Sequence, residues 1–354
     1  MAHVVKKPRL YPLKFKEIYK PYLWGGRGLS MIGKDLGGNA IVAESWEIAD
    51  RESDDHGIGL RGSHEVPPAG GDGDVSIVRN GPLAGRSLRD LILTYGEDIC
   101  PRTSNGRFPI MVKFLDARER LSVQVHPDDD YARAHERPGE RGKTECWYVM
   151  DAPPGAELIM GLTRGMIRER LGELVRAGRV EESLNRVKVE RGDVFFIRTG
   201  TVHTLLEGIM VCEILENSDT TYRLFDWGRV GSDGKPRPLH IEKAMDVIAF
   251  PGEKEYEERM RSISISYDRS RVNEETRLIS CPYFNIDYFR LEGPFRLSIA
   301  PFHFHCLSVL SGTGLLEYAH GELPIVQGET VLLPRPIGCY TLKTNAAEIL
   351  KTFL

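Results

Sequence analysis

The chain has 354 residues, of which 41% are hydrophobic and 28% charged, and its formal net charge is −4. These proportions are typical of an ordinary globular protein of one or two domains. The small negative charge excludes a general affinity for nucleic acid or anionic membranes, so any anion site must be a local cluster of cations. No run of about 18 apolar residues occurs, and the opening MAHVVKKPRLYPLKF lacks the apolar core of a signal peptide. We expect a cytoplasmic monomer or small homo-oligomer.

Short runs of alternating apolar and polar residues dominate the chain, separated by Gly, Pro and Asp. This pattern is typical of strands, and it predicts a mainly β protein of antiparallel sandwiches or barrels. In chain order the runs are AESWEIAD, FPIMVKFLD, LSVQVH, ECWYVM, AELIMGL, VKVERGDVFFI, MVCEILE, FRLSIAPF, HCLSVLS, GLLEY and TVLLP. Helical periodicity is confined to residues 86–96, residues 163–178 with Thr163 as the N-cap, and the segment that begins at Ile241.

The distribution of loops and charges predicts the domain organisation. Residues 62–81, rich in Gly and Pro, are typical of an irregular loop. Residues 251–277 are densely charged and lack apolar periodicity. They predict a connection between a domain at 1–250, with helical insertions, and a β-rich domain at 278–354. GDVFFIRTGTVH and GETVLLPRPIG share a glycine, an acidic residue, a β-run and a turn, as two jelly rolls of common ancestry would.

Polar side chains occupy one face of two of the predicted strands. In LSVQVH the apolar residues lie on one face, while Ser122, Gln124 and His126 lie on the other, because residues two apart in a strand share a face. In TECWYVM, Glu145 shares its face with Trp147. A buried carboxylate beside an imidazole and an amide is costly unless something compensates its charge, and a divalent cation does so. With His203 as a fourth ligand, the set suits Zn²⁺ with room for water or substrate.

The spacing alone leaves alternatives open. His126 and His203 are also explained as core histidines hydrogen-bonded to the backbone, with Glu145 paired to Lys143. Two histidines and a carboxylate also describe the facial triad of Fe(II) cupin oxygenases, although Gln124 as a fourth ligand argues against it. A non-catalytic sugar-binding module is a third reading, which gives no reason for the nearby charged residues.

Several segments, taken in order, resemble type I mannose-6-phosphate isomerase (phosphomannose isomerase) in its short bacterial form, a family of the cupin superfamily. The resemblance runs from about residue 12 to 250 and continues more faintly beyond. It is carried by PLKFKEIYKPYLWGGRGL, ESWEIAD, QVHPDD, GKTECWYV, GDVFFIRTGTVH and EILENSDTTYRLFDWGR. The resemblance implies a fold of two cupin-like jelly rolls. It also implies a zinc-dependent enzyme that interconverts mannose 6-phosphate and fructose 6-phosphate through an enediol(ate).

The resemblance also implies the site residues. One Zn²⁺ per chain is expected on Gln124, His126, Glu145 and His203, and a hexose 6-phosphate is the expected substrate. The expected catalytic residues are Lys143, Glu213 and Arg223, with Glu213 a candidate base, and the expected substrate-binding residues are Arg229 and Lys143.

Two further positions have predictions of their own. Arg198 replaces a proline usual in cupins of this kind, and we expect it to be a solvated turn residue; the alternative is a side chain that faces the site and helps to hold phosphate. His303 and His305 form an HxH pair, but GETVLLPRPIGCYTL supplies no later histidine, so no second metal is expected in the C-terminal domain.

Overall fold

The protein is described by a computed structural model that covers residues 7–38, 41–51, 74–101, 106–231, 234–250 and 252–354. In chain order its strands are β1 (Leu13–Lys14), β2 (Ile18–Lys20), β3 (Glu44–Ile48), β4 (Ile110–Ala117), β5 (Val123–Val125), β6 (Glu145–Asp151), β7 (Glu157–Leu162), β8 (Leu184–Lys188), β9 (Val194–Ile197), β10 (His203–Thr204), β11 (Ile209–Glu216), β12 (Tyr222–Phe225), β13 (Thr276–Ser280), β14 (Asn285–Ser298), β15 (His305–Tyr318), β16 (Gly321–Val326), β17 (Thr330–Leu333) and β18 (Cys339–Phe353). The α-helices are α1 (Leu88–Tyr95), α2 (Asp129–His135), α3 (Arg168–Arg176), α4 (Ile241–Val247) and α5 (Glu253–Ile263). Short 3₁₀ helices lie at Gly28–Ile32, Gly81–Leu83, Gly96–Asp98, Val180–Ser183 and Arg335–Ile337.

The strands form three antiparallel sheets, which confirms the mainly β prediction. One sheet has six strands in the order β2-β3-β4-β11-β6-β9, and a second has five in the order β12-β5-β10-β7-β8. The third has seven, in the order β1-β17-β15-β18-β14-β13, with β16 added to β15. The run VKVERGDVFFI is divided between β8 and β9 in different sheets, because Gly192 at φ 92° turns the chain between them.

The helices follow the predicted periodicity only in part. Residues 86–96 contain α1, whose N-cap Ser87 accepts the Asp90 N–H at 3.0 Å, and α4 begins at Ile241 as predicted. Thr163 is not the N-cap of α3, because that helix begins after Ile167 and Thr163 lies in a preceding turn. Both α2 and α5 were missed. Helix α5 lies in the charged stretch 251–277, whose few apolar residues gave no clear period.

The six- and five-stranded sheets enclose a shared interior. On the outer side of the five-stranded sheet, Val123 and Ile159 pack against Leu171 of α3 and Ala244 of α4. Its inner side faces the six-stranded sheet, with Trp147 in the core between them. Polar residues on the inner side of β5 therefore point into the space between the sheets.

The last part of the chain is joined to the first by pairing and packing. Strand β1 pairs with β17, with Leu13 opposite Leu332, and Lys14 Nζ lies 2.6 Å from Glu329. Phe108 packs against Phe304 with ring centroids 4.7 Å apart. The division into 1–250, 251–277 and 278–354 stays a prediction.

Two other expectations concern the loop at 62–81 and membrane-spanning segments. Of the predicted loop at 62–81, residues 62–73 lie outside the described residues, while Val75 and Val78 form isolated bridges with Asp50 and Phe15. Among the helices in the described ranges, none combines the length and apolarity needed to cross a bilayer.

Candidate active site

Strand register aligns three polar side chains across the five-stranded sheet. Arg223 of β12 lies opposite Gln124 of β5, and Gln124 lies opposite His203 of β10. Because residues in register on neighbouring antiparallel strands share a face, the three side chains form one row. The alternation predicted for LSVQVH therefore holds at Gln124, which lines the cavity between the sheets. It is wrong for Leu121, which lies outside β5, lines the same cavity and packs with Trp147 rather than with Val123.

A second row crosses the six-stranded sheet. Trp46 lies opposite Lys113, Lys113 opposite Glu213, and Glu213 opposite Trp147. The edge of the Trp147 ring meets His203, with centroids 5.3 Å apart, so the two rows face each other. The charged side chains of both rows line a single cavity.

Three predicted metal ligands meet beside Gln124 and Lys143, which line this cavity. His126 Nε2 lies 3.4 Å from Glu145 Oε2, and His203 Nε2 lies 3.0 Å from Glu145 Oε1. One ligand atom from each residue lies within 4.8 Å of the others, and all three side chains are buried. The amide nitrogen of Gln124 lies 3.3 Å from His203 Nε2, which brings the fourth predicted ligand to the same place.

The backbone fixes which nitrogen of each of these two histidines faces Glu145. His126 Nδ1 lies 3.0 Å from the Thr220 carbonyl oxygen, and His203 Nδ1 lies 2.9 Å from that of Thr201. A carbonyl oxygen only accepts, so each Nδ1 carries the proton and each Nε2 presents a lone pair towards Glu145. Metal-binding histidines are commonly oriented in this way.

Several buried polar atoms of His126 and Glu145 lack a hydrogen-bond partner in the described residues, and they are suited to binding a cation. His126 Nε2 and both oxygens of Glu145 are buried, and within the described residues they make no hydrogen bond. Lys143 Nζ lies 3.2 Å from Glu145 Oε2, so the ion pair considered as an alternative is present. It does not account for the lone pairs of His126 Nε2 and Glu145 Oε1, which a divalent cation would satisfy.

Burial and neighbouring charges set the protonation states that a metal requires. Burial, with a contribution from Lys143, lowers the pKa of His126 to about 3. Burial raises the pKa of Glu145, but neighbouring positive charge, chiefly that of Lys143, outweighs it and holds the pKa well below its ordinary value. A neutral imidazole and a carboxylate anion at neutral pH are the forms that bind cations.

Glu213 lies next to this group in a different environment. Its Oε1 accepts a hydrogen bond from Trp147 Nε1 at 2.8 Å, and its Oε2 lies 3.7 Å from Lys113 Nζ. Burial and the charge of Glu145 raise the pKa of Glu213. A carboxylate with a raised pKa suits a residue that takes up and returns a proton.

Sequence reasoning missed a buried lysine and the acids around it. Lys113 Nζ lies 3.4 Å from Glu44 and 3.9 Å from Asp219, and it stacks over the Trp46 ring at 4.5 Å. A usable sequence signal was present, because Lys113 interrupts the apolar run FPIMVKFLD and a lysine in such a run needs partners. Arg237, which also lines the cavity, comes from a loop that gives no such signal.

The predicted arginines have different positions. Arg223 is buried, lines the cavity, and donates from Nη1 to the Pro238 carbonyl oxygen at 2.8 Å. Arg229 is not among the cavity-lining residues described. It donates to the Arg120 carbonyl oxygen and pairs with Asp226, both at 2.5 Å. Arg198 is exposed, with its guanidinium 5.6 Å from the centre of the Phe196 ring.

One buried carboxyl group near the site predicts a pH dependence of stability. Burial raises the pKa of Glu216 from 4.5 to about 8, and Asp129 adds to the shift while the Thr144 N–H opposes it. Between these pH values the folded chain holds a proton that the unfolded chain has lost. The free energy of unfolding therefore falls as pH rises through this window, by at most about 1.4 kcal/mol per pH unit.

Replacement of Glu216 by Gln should remove this contribution, since the amide imitates the protonated carboxyl group. We expect the melting temperature of Glu216→Gln to decline less than that of the wild type as pH rises from 4.5 to about 8. Glu181→Gln, which changes an exposed residue, is the control and should follow the wild type. Identical pH profiles for all three proteins would contradict a proton bound at Glu216.

Comparison with known proteins adds independent evidence. Residues 69–151 match the family model described as phosphomannose isomerase type I, catalytic domain. Mannose-6-phosphate isomerase ManA of Bacillus subtilis (strain 168) is 34% identical over 335 residues, which cover 95% of this chain and 96% of that protein. The mannose-6-phosphate isomerase of Streptococcus mutans is 36% identical over 264 residues, 74% of this chain and 79% of that protein.

The fold agrees with the sequence comparison. The crystal structure of mannose 6-phosphate isomerase from Bacillus subtilis superposes with a TM-score of 0.77 at 28% identity, covering 96% of this chain and 99% of that one. A putative mannosephosphate isomerase from Archaeoglobus fulgidus shares the fold with a TM-score of 0.68 at 18% identity. The similarity therefore extends over nearly the whole length of both sequence and fold. The chain belongs to the type I mannose-6-phosphate isomerase family, as its motifs predicted.

Proposed function

We propose that the chain interconverts mannose 6-phosphate and fructose 6-phosphate through an enediol(ate), with one Zn²⁺ bound by Gln124, His126, Glu145 and His203. Membership of the family makes the protein a metal-dependent isomerase. The observation that supports this metal site best is the convergence of two imidazole lone pairs on a buried carboxylate without a proton between them.

The donor set favours zinc. Two imidazole nitrogens, one carboxylate oxygen and one amide oxygen suit a borderline cation of low coordination number. The facial triad of Fe(II) oxygenases has no fourth protein ligand, whereas the Gln124 amide here lies within 3.3 Å of His203. Bound Zn²⁺ would supply a Lewis acid that polarises the sugar carbonyl or the adjacent hydroxyl.

Glu213 is the residue we assign to proton transfer. In the direction from aldose to ketose, a base removes the proton from C2, the C2–H electron pair forms a C1=C2 double bond, and the π pair of the C1 carbonyl moves to its oxygen. The base then returns the proton to C1, while the proton of the C2 hydroxyl passes to the C1 oxygen and the C2 oxygen becomes the carbonyl. Trp147 fixes Glu213 Oε1, and the raised pKa of Glu213 allows it to carry the proton between the two carbons.

Arg223 and Lys143 supply positive charge for the enediolate. Both are buried on the cavity wall, where a cation stabilises a developing oxyanion more strongly than in water. Lys143 Nζ, 3.2 Å from Glu145, is adjacent to the metal ligands. For Arg229, the contacts with Asp226 and Arg120 favour an indirect role in substrate binding.

A comparison of phosphorylated and free sugar tests the proposed reaction. With the zinc-loaded enzyme in a coupled assay, kcat/KM for mannose 6-phosphate should exceed that for free mannose by about 10²-fold or more. Each charge-assisted hydrogen bond to the phosphate contributes about 1.5–3 kcal/mol, and at least two are expected. Absence of fructose 6-phosphate formation would refute the function, and equal specificity constants would refute a phosphate-anchored site.

A further inference from the structure

We propose that Arg237 binds the phosphate group of the substrate, and that Asp226 and Arg229 hold it in position. The identity of this ligand rests on the proposed function. Arg237 comes from the loop that precedes α4, yet its side chain lines the same cavity as Gln124, Lys143 and Arg223. Its side chain is 14% exposed, so it combines shielding from water with access from the cavity.

The contacts of Arg237 leave much of its guanidinium for a ligand. Asp226 Oδ2 accepts from Nε at 2.8 Å, and Asp226 Oδ1 accepts from Nη2 at 2.6 Å. This pairing uses one edge of the planar group and two of its five N–H donors. One Nη1 proton and the second Nη2 proton form another edge, and a guanidinium edge matches phosphate oxygens in spacing and charge.

The carboxylate that holds Arg237 is itself fixed by its loop. Arg229 pairs with Asp226 Oδ1 and donates to the Arg120 carbonyl oxygen. Trp227, in a left-handed backbone conformation at φ 59°, donates from Nε1 to the Leu121 carbonyl oxygen at 2.6 Å. These contacts therefore hold the loop beside Leu121, which lines the cavity. Arg229 is a positioning residue here, and this preorganisation reduces the cost of ordering Arg237 when an anion binds.

The charges along the cavity are segregated in a way that favours an anion at Arg237. The carboxylates of Glu44, Glu213 and Asp219 all lie within 3.9 Å of Lys113. The segment that carries Arg237 is tied instead to Arg223, which donates from Nη1 to the carbonyl oxygen of Pro238. The negative charge of Asp226 offsets the positive charge of one of the two arginines that it contacts, so this end of the cavity keeps an excess of positive charge. Arg223 adds to this positive potential, which favours an anion beside Arg237.

Steady-state kinetics of Arg237→Ala and Arg237→Lys test the assignment in the zinc-loaded enzyme. Arg237→Ala should raise KM for mannose 6-phosphate about 10- to 100-fold, the scale of losing a charge-assisted hydrogen bond, with kcat nearly unchanged. The preference of this variant for mannose 6-phosphate over free mannose should fall by a similar factor. Arg237→Lys should recover part of the loss, because an ammonium keeps the charge but not the planar fork. Competitive inhibition by inorganic phosphate should weaken by the same factor as KM.

Two controls separate binding from structure. Arg168 pairs with Asp246 at 2.8 Å and is half-exposed, so Arg168→Ala removes an ion-paired arginine outside the cavity and should leave both kinetic constants unchanged. Arg229→Ala should weaken inhibition by phosphate by a larger factor than it lowers kcat/KM for free mannose, which a purely structural role would not produce.

The proposal fails if Arg237→Ala keeps the wild-type preference for the phosphorylated sugar, or if it loses activity equally on both sugars. A different outcome would refute the proposed reaction alone. If the wild type has no isomerase activity but binds inorganic phosphate in calorimetry, and Arg237→Ala loses that binding, the anion site stands while the reaction does not.

Discussion

The His203→Ala variant is expected to lose the metal, and its kcat should fall by more than about 10²-fold. Removal of a residue that only orients a ligand already costs about 10–100-fold, and His203 presents its own lone pair 3.0 Å from Glu145. The fold should survive, because the substitution only shortens an inward-facing side chain of β10. Elemental analysis should find one Zn²⁺ per wild-type chain and far less in the variant. Chelation should inactivate the wild type, and added Zn²⁺ should restore it.

His305→Ala is the matched control for this experiment. His305 is also a buried histidine on a strand, but its Nδ1 contacts the Tyr340 hydroxyl at 2.8 Å and it lies in the C-terminal sheet. The variant loses a similar volume and should keep its zinc. Full activity after exhaustive chelation, or equal zinc in both variants, would contradict the metal site.

Arg223→Ala is expected to lower kcat by about 10²-fold or more, the scale of removing one donor to a developing oxyanion. In the proposed role the guanidinium would stabilise the enediolate more than the bound sugar, so the effect should fall on turnover. Zinc content should not change, since no ligand is touched. The melting temperature should fall slightly, because the Pro238 carbonyl oxygen loses its donor. Arg223→Lys should recover only part of the rate.

Whether the substitution of Arg223 changes kcat or KM distinguishes a role in catalysis from a role in binding. A rise in KM at constant kcat would make it a second phosphate ligand beside Arg237 rather than a stabiliser of the enediolate. Loss of zinc or unfolding of the Ala variant would make it a structural residue. Arg168→Ala again controls for the loss of an arginine outside the cavity.

The sequence predicted the inner faces of strands well, because alternation depends only on local geometry. Gln124 and Glu145 could be placed inside the protein from LSVQVH and TECWYVM alone. The ion pairs of Lys113 could not be predicted, because its three carboxylate neighbours come from distant parts of the chain. Arg237 was missed for a similar reason: a loop residue has no periodicity, and its place on the cavity wall depends on Asp226 and Trp227.

Helix prediction failed where local signals compete with tertiary packing. Thr163 has the side chain of an N-cap, but the chain makes a turn there first and α3 begins at Arg168 without a side-chain cap. Helix α2 has seven residues and begins after Asp128, which accepts the Tyr131 N–H at 2.8 Å. That cap is visible in HPDDDY, although so short a helix shows almost no apolar period.

The pairing of β1 with β17 affects the order in which the molecule is completed during synthesis. Leu13 leaves the ribosome early, but its partner Leu332 follows only roughly 300 residues later, a delay on the order of 15 to 60 s at about 5–20 residues per second. Until then one edge of the first strand has no partner, and Lys14 lacks the carboxylate of Glu329. A nascent chain stalled before β17 would expose that edge to other chains, so truncation near the C terminus affects the beginning of the protein as much as its end.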